Sequence, residues 1–212
     1  MADNLKIGIL AIQGDYEAHS KMLDRLDVPW TYVRRPEDID GIDGIILPGG
    51  ESTTHIRIMR EEGVWDAMER FAVRGGAFFG TCAGAILLAR EVHNPPQASL
   101  ALLDISILRN GYGRQLASDV HEGQTKLSDR PIEMVFIRAP IIQSFGKAVD
   151  VLAADAAHPV LVQEGPNLAA TFHPELTDDP TVHRHFIEMV RRNRQRAVAS
   201  TSPRHAASRV TR

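Results

Sequence analysis

The first half of the chain is organised by short, continuous apolar runs. Lys6-Ile7-Gly8-Ile9-Leu10-Ala11-Ile12, Trp30-Thr31-Tyr32-Val33, Gly44-Ile45-Ile46-Leu47 and Ala77-Phe78-Phe79-Gly80 read as strands, the first a buried type. Between them the apolar spacing turns helical. One helix follows Gln13-Gly14-Asp15, with Met22, Leu23 and Leu26 as its later apolar positions, and two more cover about 54–61 and 64–74. The alternation predicts an α/β fold with a mainly parallel, mixed central sheet flanked by helices. Residues 105–108 and 133–137 read as strands with no long helix between them, so the middle of the chain reads as an antiparallel insertion. Asn94-Pro95-Pro96 ends the helical pattern that begins near Ala85. Short late strands are expected at 149–153, 160–163 and 169–171. A final helix is expected at 181–194, with Phe186, Ile187, Met189 and Val190 on or near its buried face. Internal repeats and an interdomain linker are absent from this reading, which gives one domain over residues 1–196.

Composition changes the picture in two places. Hydrophobic residues make up 43% and charged residues 24% of the 212, ordinary for a soluble globular protein. Met1-Ala2-Asp3-Asn4 leads into the first strand without a signal pattern, and no apolar run reaches membrane-spanning length. The single cysteine rules out an internal disulfide, which fits a reducing, cytoplasmic setting. The formal net charge is −3, yet seven arginines and no acid fall between 191 and 212. The rest of the chain holds 17 of the 24 basic groups against 27 acidic ones, a net of −10. The basic end has no interleaved aromatics. Ala, Ser, Thr and Pro dominate it, so residues 197–212 are expected to be a solvated, disordered tail and no nucleic-acid contact is assigned to it.

The lone cysteine carries the chemistry. Gly80-Thr81-Cys82-Ala83-Gly84 follows an apolar strand and precedes a helix, a strand–turn–helix that lifts a side chain off the sheet edge. The helix N-terminus behind Cys82 favours a thiolate, and its free backbone N–H groups favour an oxyanion. A cysteine nucleophile needs a base and an orienting group. Phe172-His173-Pro174-Glu175 supplies both: His173 stands at a strand end, Pro174 stiffens the turn, and Glu175 can accept the other imidazole N–H. His183-Arg184-His185 has i,i+2 spacing, which does not place two ligands together, and no cluster completes a metal site. His19, His55, His93, His121 and His158 read as surface or structural residues.

Two loops are expected to join these residues. Pro48-Gly49-Gly50-Glu51-Ser52-Thr53 follows the third strand; its glycines allow close backbone approach, Glu51 is placed to bind an α-amino group, and Ser52 or Thr53 to cap the next helix. It lacks the Gly-Lys-Ser/Thr ending of a phosphate-binding loop. Arg109-Asn110-Gly111-Tyr112-Gly113-Arg114-Gln115 and Phe136-Ile137-Arg138-Ala139-Pro140 each put an arginine at a strand exit, where α/β folds bind ligands and where a guanidinium can grip a carboxylate.

These segments, with Gly8-Ile9-Leu10-Ala11-Ile12-Gln13-Gly14 and Phe172-His173-Pro174-Glu175-Leu176-Thr177, resemble the class I, triad-type glutamine amidotransferases. Within them the chain is most similar to the glutaminase subunits of pyridoxal 5′-phosphate synthase. The likeness runs from the first strand to the final helix and leaves out only the tail. It implies the flavodoxin-like fold of that class and hydrolysis of L-glutamine to glutamate and ammonia without a cofactor or metal. Cys82 would be the nucleophile, His173 the base and then the acid, and Glu175 its orienter. Gly50, Glu51, Ser52, Arg109, Ile137 and Arg138 would line the glutamine site. The oxyanion hole would use Ala83 N–H and a backbone N–H at Gly49 or Gly50. Ammonia would pass to a barrel-fold synthase subunit within a large hetero-oligomer. Gly111-Tyr112 departs from the small residue and Phe expected there, and the arginine-rich tail lies outside the family pattern.

Overall fold

In three of the first four β-strands, residues that are apolar on both faces leave almost no polar side to solvate, so they pack as the centre of a parallel sheet. In the computed structural model, which describes residues 5–109 and 118–201, β1 (Ile7–Leu10), β3 (Gly44–Leu47) and β4 (Ala77–Thr81) are buried at every position. Among the described residues the chain forms a nine-stranded sheet. Its remaining strands are β2 (Trp30–Val33), β7 (Ser118–Thr125), β8 (Ser128–Ile137), β10 (Asp150–Asp155), β11 (His158–Glu164) and β12 (Asn167–Ala170). The order is β2-β1-β3-β4-β12-β11-β10-β7-β8, parallel from β2 to β12 and antiparallel from β12 to β8.

The alternation of side chains within each central strand sets the two faces. Ile45, Leu47 and Phe78 face α2 (Ser52–Glu61), α3 (Val64–Val73) and α4 (Ala83–Leu88), where Met59, Met68 and Phe71 complete one core. Ile46 and Phe79 face the opposite way, toward α1 (Tyr16–Arg25) and α5 (Thr181–Thr201), meeting Leu23, Phe186 and Val190. Each of these helices buries a stripe at helical spacing: His19, Met22 and Leu23 on α1, and Val182, His183, Phe186, Ile187, Met189 and Val190 on α5.

The middle of the chain is only partly the antiparallel insertion expected. β7 and β8 do form an antiparallel hairpin, but they extend the main sheet. A separate three-stranded sheet holds β5 (Ala89–His93), β6 (Leu103–Leu108) and β9 (Ile141–Phe145), with β5 and β6 parallel. The helix after Cys82 is six residues long; from Ala89 the chain is already strand, before the prolines are reached. The final helix is also longer than expected. It continues past Arg194 to Thr201, through the first residues assigned to the tail. Residues 202–212, and Gly111-Tyr112, Arg114 and Gln115 of the central motif, lie outside the described residues. No helix among the described residues is long and apolar enough to cross a membrane.

Candidate active site

Parallel register brings distant parts of the sequence to one edge. Ala170 at the end of β12 pairs with Thr81 at the end of β4, and Leu47 at the end of β3 pairs with Gly80. The segments that follow, bearing His173, Cys82 and Gly49, therefore leave the sheet side by side. Cys82 sits at φ +49°, ψ −103°, a strained conformation for a residue with a Cβ, directly before the first turn of α4. Its backbone N–H donates to the Ala170 carbonyl at 2.9 Å, which fastens the elbow to β12. Its Sγ lies 3.8 Å from the Ile137 carbonyl oxygen.

His173 Nδ1 is 2.8 Å from Glu175 Oε1, and both residues are about 95% buried. The backbone N–H of His173 donates to the Val135 carbonyl at 2.8 Å, so β8 also holds the turn. Burial pulls the His173 imidazolium down. Hydrogen bonds to Cys82 and Glu175, with the charges of both, outweigh burial and raise His173 to about 10. The ring also packs on the glycine loop: a Cβ at Gly49 would collide with His173 Cε1. That close approach requires glycine at 49.

These groups open onto a cleft of about 180 Å³. The residues expected at the substrate site all line this cleft: Gly50, Glu51, Ser52, Arg109, Ile137 and Arg138 stand around it with Cys82, Ala83 and His173. Asp15 and Ile86 join them without having been expected. Arg109, just after β6, places Nη2 3.0 Å from Glu51 Oε1. Its side chain is 11% exposed against 52% for Glu51. Arg109 Nε is buried and has no hydrogen-bond partner among the described residues. The helix cap differs from expectation: Glu51, not Ser52 or Thr53, caps α2 by accepting from the Thr53 N–H, while Ser52 Oγ donates to Gln97 Oε1 at 2.9 Å. Asp15, His173 and Glu175 bring ligand-type atoms within 4.8 Å of one another; a cation there would compete with the His173–Glu175 hydrogen bond.

The chain matches the SNO glutamine amidotransferase family over residues 9–192. The chain belongs to this family. Among the curated relatives of this glutamine amidotransferase, pyridoxal 5′-phosphate synthase subunit PdxT of Koribacter versatilis is 47% identical over 187 residues, 88% of this chain and 96% of its own. PdxT of Thermotoga maritima is 47% identical over 188 residues, 88% of this chain and all of its own. A crystal structure of a glutamine amidotransferase superposes with a TM-score of 0.82 at 42% identity, covering 87% of this chain and 98% of that one. A more distant glutamine amidotransferase from Thermotoga maritima, at 12% identity and a TM-score of 0.58, shares the fold alone; the match covers 92% of this chain and 94% of that one.

Three histidines read as surface, structural or metal-unsuited residues are fully buried: His19, His55 and His183. His55 Nε2 lies 3.1 Å from the Gln13 carbonyl oxygen, so it ties α2 to the loop after β1. His19 and His183 meet behind Glu175. The only sequence signal for this pair is that each falls in the apolar stripe of its helix.

Proposed function

We propose that Cys82, His173 and Glu175 form the catalytic triad with which this glutamine amidotransferase hydrolyses L-glutamine, and that it supplies the ammonia for pyridoxal 5′-phosphate synthesis. The observation that carries the reading is the convergence, at one sheet edge, of the only cysteine in its strained elbow and an imidazole clamped at 2.8 Å by a buried carboxylate.

Cys82 Sγ, its proton on His173, attacks the side-chain amide carbon of glutamine. The oxyanion that forms accepts from the Ala83 N–H, free because it belongs to the first turn of α4, and from the backbone N–H at Gly50. His173 gives its proton to the leaving nitrogen, ammonia departs and a glutamyl thioester remains. His173 then takes a proton from water as the water attacks the thioester, and the collapse returns glutamate and the thiol. Glu175 holds the ring in one tautomer through both halves. Arg109 receives the substrate carboxylate with its unpartnered Nε, and the free oxygen of Glu51 faces the α-ammonium. Ile137, whose carbonyl oxygen lies 3.8 Å from Cys82 Sγ, and Arg138 complete the wall of the cleft.

The curated relatives are named as subunits of a synthase, which supports our reading that the ammonia passes to a barrel-fold synthase partner in a hetero-oligomer. The single free cysteine fits a cytoplasmic setting for that assembly. The glutaminase unit reads as one domain whose last helix, α5, carries on past residue 196 to Thr201. The deciding experiment is Cys82→Ala, assayed for glutamate release with the synthase partner present. Turnover falls to background while circular dichroism stays unchanged. Near-normal turnover would end the covalent reading.

A further inference from the structure

Behind the triad carboxylate lies a line of polar groups that glutamine never touches. Glu175 Oε1 accepts from His173 on the cleft side. On its other side it also accepts from Thr81 Oγ1 at 3.3 Å and faces His19 Nε2 at 3.5 Å. His19 Nε2 is 3.2 Å from Thr81 Oγ1, and His19 Nδ1 is 2.9 Å from His183 Nε2. Thr81, His19 and His183 are at most 1% exposed. Phe79 stands edge-on to both imidazoles, with ring centroids 6.1 Å from His19 and 5.5 Å from His183. None of the three polar residues lines the cleft.

The proton positions follow from counting donors. Burial pulls both rings well below the ordinary histidine range, His183 to about 3, so both are neutral and one proton lies between His19 Nδ1 and His183 Nε2. If His19 Nδ1 held it, His19 Nε2 would turn a bare lone pair toward the carboxylate. His183 would then carry its hydrogen on Nδ1, which is buried and unpartnered. Buried unpaired N–H groups are the rarer and costlier defect. With the proton on His183 Nε2, every donor points one way: His183 to His19 Nδ1, His19 Nε2–H to Thr81 Oγ1, and the Thr81 hydroxyl to Glu175. The unpartnered His183 Nδ1 is then an acceptor.

We propose that His19, held in one tautomer by His183, is a positioning residue that fixes the Glu175 carboxylate from behind and so aims His173 at Cys82. This rests on the triad reading above. Glu175 Oε2 has no partner of its own among the described residues, so the carboxylate is held through Oε1 alone. Without His19 the Thr81 hydroxyl loses the donor that orients it and re-aims, the carboxylate is no longer fixed from behind, and the imidazole loses its fixed orientation. The effect belongs to the chemical step and not to glutamine binding.

The test is steady-state glutamine hydrolysis by the complex with its synthase partner for His19→Leu, His19→Gln and His19→Asn. A glutamine side chain can place an N–H near the position of the lost Nε2. Asparagine places one near Nδ1 instead. His19→Leu and His19→Asn are expected to lower kcat ~10- to 100-fold, the range seen for outer partners of functional histidines in metal sites, with KM within about twofold of wild type. His19→Gln recovers most of kcat. Unchanged kcat in His19→Leu, or equal losses in all three, would overturn the proposal. Should His19→Leu not fold, Thr81→Val removes the neighbouring donor and must lower kcat without moving KM; a wild-type kcat there overturns it as well. Iodoacetamide modification of Cys82 keeps the two readings apart. If alkylation leaves wild-type turnover intact, the triad reading fails; if it abolishes turnover while the His19 variants behave as wild type, only the positioning role fails.

Discussion

The two sides of the His173 ring are built from different materials. Toward the cleft stand Asp15 and Glu51, which are exposed, and Arg109, whose ion pair with Glu51 is at the solvent boundary. The Gly49 backbone lies against the ring and carries no side chain. Away from the cleft stand Glu175, Thr81, His19 and His183, all buried and hydrogen-bonded in series. The open side can exchange its partners for water at small cost, so it suits a substrate that must enter and leave. The buried side cannot, because an unpaired polar group there is expensive, so it suits a geometry that must not change between turnovers. Binding and orientation are thus separated across one imidazole, and changes on each side should fail in different ways.

The largest effect on the open side is expected where its two loops touch. Gly14 lies at φ +86°, and a Cβ on it would run into the Gly49 carbonyl oxygen. Gly14→Ala therefore has to push the Gly49–Gly50 peptide away, and that peptide is our second oxyanion donor. Losing one such donor costs ~10²–10³-fold in kcat. Glutamine turnover with saturating synthase measures it. An unchanged kcat would mean that the two loops move independently and that the His55–Gln13 contact does not couple them.

Arg109→Met should act on binding instead. The guanidinium is removed from the cleft, and a lost charge-assisted contact to the substrate carboxylate raises KM ~10- to 100-fold, with kcat changed far less. Glu51 loses its partner but is half-exposed, so the melting temperature should hardly move. A normal KM would remove Arg109 from the substrate site; a large drop in stability would show that the open side is structural after all.

How far this division could be read in the sequence depends on distance along the chain. His173 and Glu175 are two residues apart, and Cys82 sits in a strand–turn–helix of small residues, so local spacing was enough to single them out as candidates, and the fold brings them to one sheet edge. The parallel centre was legible because Ile7–Leu10 and Gly44–Leu47 carry no polar side chain and Ala77–Thr81 carries one only at its last position. β7 was not, because Ser118–Thr125 has only one apolar side chain, Val120, and is a strand only through its pairing with β8. β5 was read as helix, since Ala-Arg-Glu-Val-His has no alternation strong enough to oppose the apolar helix before it. The buried side of the site was hidden for a different reason. His19 meets Thr81 across 62 residues and His183 across 164. Each histidine lies where an apolar side chain would serve equally well, and only the packing of α1 and α5 on the same sheet face turns them into a pair.

The smallest effect we expect is one of stability, and it separates the two sides by pH. His183 is ordinary in the unfolded chain, near 6.5, and is lowered to about 3 in the fold by burial. The unfolded chain therefore binds a proton that the folded chain refuses once the pH drops below 6.5. Stability from this group is complete above that value and is lost progressively down to about pH 3. At pH 5 the loss comes to about 2 kcal/mol. His19 works in the same direction. His173 works in the opposite one: raised to about 10, it adds stability that is complete below 6.5 and disappears as the pH climbs to about 10. Between pH 7 and 5 its contribution rises by about 0.8 kcal/mol, and it cancels in a comparison of wild type with a His183 variant. Urea unfolding at pH 7 and pH 5, for wild type and for His183→Gln, isolates the term, because the pH-independent cost of the substitution cancels in the difference. The variant should lose about 2 kcal/mol less than wild type across the interval. Equal losses would mean that His183 takes up its proton while folded, and the side of His173 away from the cleft would then have to be wet.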